Sequence, residues 1–555
     1  MKDIMQHLFN AVANESRIDA NQVELNERKY RVNRQYTVFL SVREDNSKAY
    51  IVRGQAAKFS DAVNQALDIY VSKKPVGFKP KHLKLDIVNG VKPFKNRRMF
   101  DYRKDTLLFD KGNEGVTFGK TLQTAFLPSE MIGYDIVENR KVNINNLNAA
   151  VKQKLNDDSY NQLKSPFKFS TDAFYSNGND YYPLTRGHRV FREIDKDTVL
   201  YAIQLTKNNY FKQVVNSRGK FIYTYLPAVD YAEKKYNILR HAGTIFSMLQ
   251  TYELTQDEEI MNRAKKALSF LVDKVEIARS GQKGKVLVER DTAKLGGNGL
   301  AIVALAKYTE ITGDRKYLPV MQELAEWIKD MQIDSGDFKA HKLVYSTGEI
   351  SDFVSDFYIG ESILALTKLH ALDGNLDWID VAENAADYLI NTKNKDATTS
   401  TIQHDHWLLY GLNGLYRVRQ KEMYIKHALM MAESIMDTQY LSEQKNDIEF
   451  IGGYPPQVGT LPKSVPVACR TEGLSNAYEL AKDYGYEEEA KRMREAIIKG
   501  VQFQLQTQLR EESVMHFENH SLCIGAFYNK FKDITIRNDF TQHNISACIA
   551  CYKIM

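Results

Sequence analysis

The chain has 555 residues, 43% of them apolar and 26% charged, the composition of a folded globular protein rather than a disordered or fibrous one. Lys and Arg number 75 against 70 Asp and Glu, a formal charge of +5, which over this length does not point to nucleic acid or an anionic membrane surface. No apolar run approaches the ~20 residues that cross a bilayer, Asp3 and the lack of an apolar stretch behind it argue against a secretory signal, and four cysteines make no disulfide framework; a soluble, cytoplasmic protein is expected.

The first 155 residues read as a small α+β domain. Tyr36 to Glu44 and Lys48 to Gly54 alternate apolar and polar residues as a hairpin does, a helical pattern covers Asp61 to Val71, and His82 to Val88 reads as a strand. Further short strands are expected at Val116 to Phe118 and Gly133 to Val137. Residues 156–190 are polar, with Gly, Pro and Ser, and read as a linker. Lys73 to Lys84 is locally basic, so this domain is a candidate module for a protein partner, although a solvated surface explains the charge equally well.

From residue 191 to 555 the chain is helical and repeats. Helix starts at His241, Gly297, Gly360, Tyr410, Glu472 and Gln542 each open on polar or small residues and turn apolar on nearly all faces. The first five are followed by amphipathic helices such as EEIMNRAKKALSFLVDKV and WIDVAENAADYLINTK. A sixth amphipathic helix begins at Asp197, ahead of the first buried one. Each hairpin of such a repeat covers its apolar face only against its neighbours. If the first and last helices pair, six inner and six outer helices close into an (α/α)6 toroid, and the apolar ISACIACYKI helix is covered. The fold class is therefore mainly α: a toroid of six helical hairpins preceded by a small α+β domain.

MQIDSGDF (Met331 to Phe338) followed by YIGESILAL (Tyr358 to Leu366) is similar to the loop-and-inner-helix unit of the six-hairpin glycosidase-like superfamily, whose relatives include epimerases and polysaccharide lyases. The likeness covers about two thirds of the chain. It implies the toroid fold and a glycan or other polar small molecule as substrate, and it carries no single family's catalytic motif.

In a ring of hairpins all outer-to-inner loops reach one face, and inner-helix N-termini aim unpaired N–H groups at that mouth. Titratable and polar residues collect before every inner helix: Tyr236, Asn237, Arg240 and His241; Arg290, Asp291 and Lys294; Asp356, Tyr358 and Glu361; His404, Asp405, His406 and Trp407; Arg470 and Glu472; Arg537, Asp539 and His543. Each cluster also has a plain structural explanation. Asp356 and Asp539 suit helix capping, Arg240 and His241 suit an interhelix pair, and Trp407 suits the core as well as the face of a sugar.

Three functions fit this pattern. A glycoside hydrolase needs one protonated and one ionised carboxyl, drawn here from Glu361, Asp405, Glu472, Asp291 and Asp539. A polysaccharide lyase or sugar epimerase would use Tyr236 and His241 for proton transfer and Arg240, Arg290, Arg470 and Arg537 for an acidic sugar. A non-catalytic glycan- or peptide-binding scaffold would use the same mouth. Glycoside hydrolysis is the leading expectation, with Glu361, Glu472, Asp405, Asp291, His241 and Tyr236 as the catalytic candidates. No cofactor is expected, and no metal: His404, His406 and His543 with Asp405 offer weak ligand spacing, and Cys548 and Cys551 fall inside an apolar helix.

Overall fold

The second inner helix shows why a ring forms. LGGNGLAIVALAKYTEIT buries every residue from Leu295 to Ala306, so it needs partners on all sides. The outer helix before it, EEIMNRAKKALSFLV, buries only Ile260, Met261, Ala264, Ala267, Leu268 and Leu271, a stripe at three- and four-residue steps that covers one side of the ring. A computed structural model of the chain describes residues 1–93, 109–118, 122–138, 141–155, 166–279, 281–442, 447–455, 460–531 and 533–555. In it the inner helices are Ile238–Thr255, Leu295–Thr312, Tyr358–Asp373, His406–Tyr416, Ser464–Asp483 and Asn538–Ile554. Each packs on the next, and the sixth packs on the first.

The outer helices are Lys196–Asn208, Glu258–Val272, Leu318–Met331, Leu376–Tyr388, Glu422–Asp437 and Glu487–Leu505. The first of them lies on the last inner helix, where Lys196 Nζ stands 4.8 Å from the centre of the Tyr552 ring. Across the closing seam Ser546 Oγ donates to Gln250 Oε1 at 2.7 Å and Asn538 Nδ2 to the Arg240 carbonyl at 3.3 Å. The chain is thus a closed six-hairpin (α/α)6 toroid.

Inner-to-outer turns are short, with Asp257 and Asn375 capping the following outer helices by accepting from Glu259 N and Asp377 N. Outer-to-inner connections are longer and form two four-stranded sheets. One joins Val275–Ile277, Lys285–Glu289, Thr292–Lys294 and Lys342–Val344, and the other joins Tyr231–Ala232, Thr224–Leu226, Asp533–Arg537 and Tyr528–Lys530. These sheets mark the mouth, at the N-termini of the inner helices.

The small domain is an antiparallel sheet in the order His188–Arg189, Tyr181–Thr185, Pro166–Ser176, His82–Pro93, Tyr36–Arg43, Tyr50–Ala56. Glu114–Phe118 also pairs with Pro166–Ser176. Helices Lys2–Ala13 and Phe59–Lys73 bring Met5, Leu8, Ala62 and Val63 to a core with Val38, Leu40, Leu85 and Ile87. Two expectations are corrected here. Residues 166–189, expected within a linker, are three strands of this sheet; the longest places Phe167, Phe169, Thr171, Ala173 and Tyr175 on one face and pairs along His82–Pro93. The strand expected over Gly133 to Val137 is instead the end of helix Pro128–Gly133 and a turn, with a two-residue strand at Val137–Glu138. Residues 156–165 of the expected linker lie outside the described residues.

The domain docks on the connections that follow the fifth and sixth outer helices. Arg189 makes a two-point pair with Glu512 at 2.5 and 3.0 Å, Arg186 Nε donates to Glu449 Oε1 at 2.7 Å, and buried Arg43 pairs with Glu511. Both oxygens of buried Glu512 are thereby satisfied, the condition on which a buried charge is tolerated.

Candidate active site

Several residues expected in loops ahead of inner helices stand within those helices. The fifth inner helix begins at Ser464, two turns before Glu472, because Pro466 in its first turn has no helical N–H partner to lose. Cys469 and Glu472 are therefore three residues apart on one helical face. The sixth begins at Asn538, which puts Asp539 and His543 on helix as well.

The arc made by the third to sixth inner helices brings Glu361, Asp405, His406, Glu472 and His543 together. Glu361 is 5% exposed and its Oε2 has no hydrogen-bond partner among the described residues. Burial, reinforced by Asp405, pushes its carboxyl well above the ordinary carboxylate range. Gly296 makes room for it: a Cβ there would stand 1.9 Å from Glu361 Oε2. Asp405 caps the fourth inner helix, its Oδ1 accepting from Trp407 N at 3.0 Å and Leu408 N at 3.2 Å. Burial still pushes its carboxyl up to about 8, against those two donors.

Glu472 Oε1 accepts from His543 Nδ1 at 2.8 Å, and its Oε2 accepts from Tyr410 Oη at 3.2 Å. Burial raises the Glu472 carboxyl although His543 works the other way. Burial opposes a charge on His543, yet Cys469 and Glu472 hold its imidazolium well above the usual histidine value. His406 is 4% exposed and neither ring nitrogen has a partner among the described residues; burial, then the charge on His543, keeps it neutral. Its ring lies 5.2 Å from that of His543 and 4.6 Å from that of Trp407. Trp407 is buried against His406 and Tyr410, so it supports the site and offers no open face to a sugar. The exposed aromatic faces nearby are Phe357, 6.1 Å from the His406 ring, and Phe353, 5.9 Å from Tyr358.

The other candidates are occupied elsewhere. His241 is fully buried between inner and outer helices: Nε2 donates to the Ala267 carbonyl at 2.9 Å and Nδ1 accepts from Tyr236 Oη at 2.6 Å. Burial drives its pKa down to about 4. Tyr236 Oη also accepts from Phe221 N at 3.1 Å, so this pair braces the hairpin and has no proton to give a substrate. Asn237 caps the first inner helix. Asp291 and Arg290 form an exposed hairpin turn, where Asp291 accepts from Ser346 N and Oγ at 2.8 and 2.6 Å. The catalytic expectations for His241, Tyr236 and Asp291 thus give way to structural roles.

Three of the four arginines of the expected clamp for an acidic sugar, Arg240, Arg470 and Arg537, are likewise committed to protein groups. Arg470 donates to His404 Nδ1 at 2.8 Å and to the Tyr454 carbonyl at 2.9 Å, while His404 Nε2 meets Ser434 Oγ at 2.9 Å. Arg537 grips Asp539 at 2.6 and 2.9 Å, and Arg240 adds a third contact to Asp539 at 2.9 Å. Asp539 is therefore an ion-pair centre rather than a cap. Exposed Asp356 lies 3.6 Å from Lys393. Tyr358 stacks on His341 beside Gly296. The side chain of Lys294, half-buried at the start of the second inner helix, forms no hydrogen bond or ion pair within the described residues, and burial lowers its pKa.

Sequence reasoning passed over Cys469 and Tyr410. Cys469 was visible in VACRTEG, one residue before Arg470, but only the helix start at Ser464 turns it to the face shared with Glu472.

Residues 269–453 match the family model of the ulvan lyase N-terminal domain. No curated protein matches the chain by sequence. Among solved structures the chain is similar to a sugar epimerase from a ruminal bacterium, at 16% identity over 64% of this chain and 98% of that one, with a TM-score of 0.46. It is also similar to cellobiose 2-epimerase from Bacillus thermoamylovorans B4167, at 14% identity over 65% of this chain and all of that one, TM-score 0.48. The GH76A alpha-1,6-mannanase from Salegentibacter sp. HEL1_6 matches at 13% identity over 65% of this chain and 100% of its own, TM-score 0.45.

Proposed function

We propose that the protein is a carbohydrate-active enzyme working at the mouth of the ring by general acid–base catalysis, with Glu361 as the acid. The observation that carries this reading is the Glu361 carboxyl itself, buried, with one oxygen unpartnered, and influenced by a second carboxyl, Asp405, from the adjacent inner helix. Two carboxyls in one dry site do not both ionise; Asp405, raised only to about 8, loses its proton first as pH rises toward that value, and Glu361 keeps its own. That is the division of labour a glycoside hydrolase uses: Glu361 protonates the leaving oxygen and Asp405 acts as base. Exposed Phe353 and Phe357 supply apolar faces for sugar rings, and the match to a lyase domain over residues 269–453 supports a glycan substrate.

That match also favours a second reading, elimination or epimerisation beside a sugar carboxylate. There the two carboxyls would move a carbon-bound proton, and Lys294, with no protein partner among the described residues, would take the acidic group. Incubation of the full-length chain with neutral and acidic oligosaccharides separates the readings. New reducing ends without unsaturation indicate hydrolysis, unsaturated-sugar absorbance indicates elimination, and solvent deuterium in uncleaved sugar indicates epimerisation. Glu361→Gln should abolish whichever signal appears. Binding with no chemical change contradicts the enzyme reading.

A further inference from the structure

We propose that His406, Cys469 and His543 form a binding site for a transition-metal dication of the zinc type, with a fourth coordination position left for water or substrate. The three residues come from the fourth, fifth and sixth inner helices, and one potential ligand atom from each lies within 4.8 Å of the other two. Imidazole nitrogen and thiolate sulfur are both zinc donors, and three protein ligands with an open fourth position is the arrangement of catalytic zinc.

Two further observations point to a ligand there. Both ring nitrogens of His406 are buried without a partner among the described residues, unlike those of His241, which are both bonded; buried His520 is also unpartnered, but His406 is the one that stands beside two further donor atoms, from Cys469 and His543, among the described residues. In addition, Glu472 Oε1 accepts from His543 Nδ1 at 2.8 Å, which leaves Nε2, on giving up its proton to solvent as the metal binds, as the ring's ligand atom, and Tyr410 Oη fixes the second Glu472 oxygen at 3.2 Å. A carboxylate holding the far nitrogen of a ligating histidine sets its tautomer and orientation. The Cys469 thiolate and the Glu472 carboxylate together offset the charge of a dication. A nucleophilic Cys469–His543–Glu472 arrangement would account for three of these groups but would leave His406 unexplained.

The site lies beside Glu361 and stands whether or not the substrate is a glycan. The test is titration of the untagged full-length chain, stripped by chelator, with cobalt(II) and zinc(II). One equivalent of cobalt should bind per chain, with a thiolate-to-metal charge-transfer band, and zinc should displace it. Cys469→Ser and His406→Ala should lose the band, and Glu472→Gln should weaken binding by about 10- to 100-fold. Cys551→Ser and Glu361→Gln should bind as the unaltered chain does, so loss of turnover in Glu361→Gln with metal retained tests the reaction separately. Absence of cobalt binding overturns the site, as does Cys469→Ser binding cobalt with the same band and affinity. The conservative serine variant keeps the test decisive even if His406→Ala does not fold.

Discussion

The first hairpin and the arc from the third to the sixth inner helix present similar residue types at the same level of the ring, yet they differ in whether those groups are satisfied. At the first hairpin His241, Tyr236 and Asn237 bond to backbone or to one another, and Arg240 and Arg537 enclose Asp539. On the other arc Glu361 Oε2 and both nitrogens of His406 are buried without partners among the described residues. A buried polar group left unmade costs about 1–3 kcal/mol, so the second arc is held in place by its surroundings at the expense of stability. Satisfaction of hydrogen bonds, more than residue type, distinguishes these two arcs.

The largest expected effect that would break this contrast is on turnover. Glu361→Gln should lower activity per folded molecule by roughly 10³-fold, the range of a general acid, whereas His241→Gln should leave it nearly unchanged; parallel assays on the oligosaccharide that the unaltered chain converts decide this. Stability should show the reverse order. His241→Ala removes a fully buried ring and leaves Tyr236 Oη and the Ala267 carbonyl without it, for a loss of about 3 kcal/mol by chemical denaturation. Glu361→Gln should stay within about 1 kcal/mol of the unaltered chain, since it replaces a carboxyl already held neutral.

A pH series sharpens the same comparison. The folded chain holds His241 near a pKa of about 4, below its ordinary 6.5. The unfolded chain therefore binds the proton first as pH falls. The stability His241 contributes is complete above about pH 6.5 and is lost between there and pH 4, by up to roughly 3 kcal/mol. The slope of stability against pH over that interval should be shallower in His241→Gln. The smallest effect is expected from Asp291→Ala, which loses two hydrogen bonds at an exposed turn. It should cost under about 1 kcal/mol and leave turnover unchanged.

Much of this architecture was legible in the sequence. Helices such as LGGNGLAIVALAKY and EEIMNRAKKALSFLV carry different apolar periodicities, and counting them requires the helix from Lys196 to cover the last one, as it does. Glu361, Asp405, His406, Glu472 and His543 were named from their place at helix starts. Which clusters keep unpartnered groups was not legible, because satisfaction depends on partners from other hairpins: Arg470 is committed to His404 and Tyr454, and Asp291 to Ser346. Cys469 was hidden by a helix boundary set two turns too late. The strand Pro166–Ser176 was masked by its polar residues, although its alternation was present in PFKFSTDAFYS.

The most direct test of the central claim, that chemistry occurs on the arc around Glu361, is a crystal structure of the Glu361→Gln chain with a bound oligosaccharide. The account predicts a sugar oxygen within hydrogen-bonding distance of the amide introduced at position 361 and a sugar ring against Phe357 or Phe353. A ligand found instead in the cleft of about 910 Å3 between the small domain and the toroid, lined by Tyr182, Arg189, Tyr201 and Arg510, with the Glu361 arc closed to sugar, would contradict it.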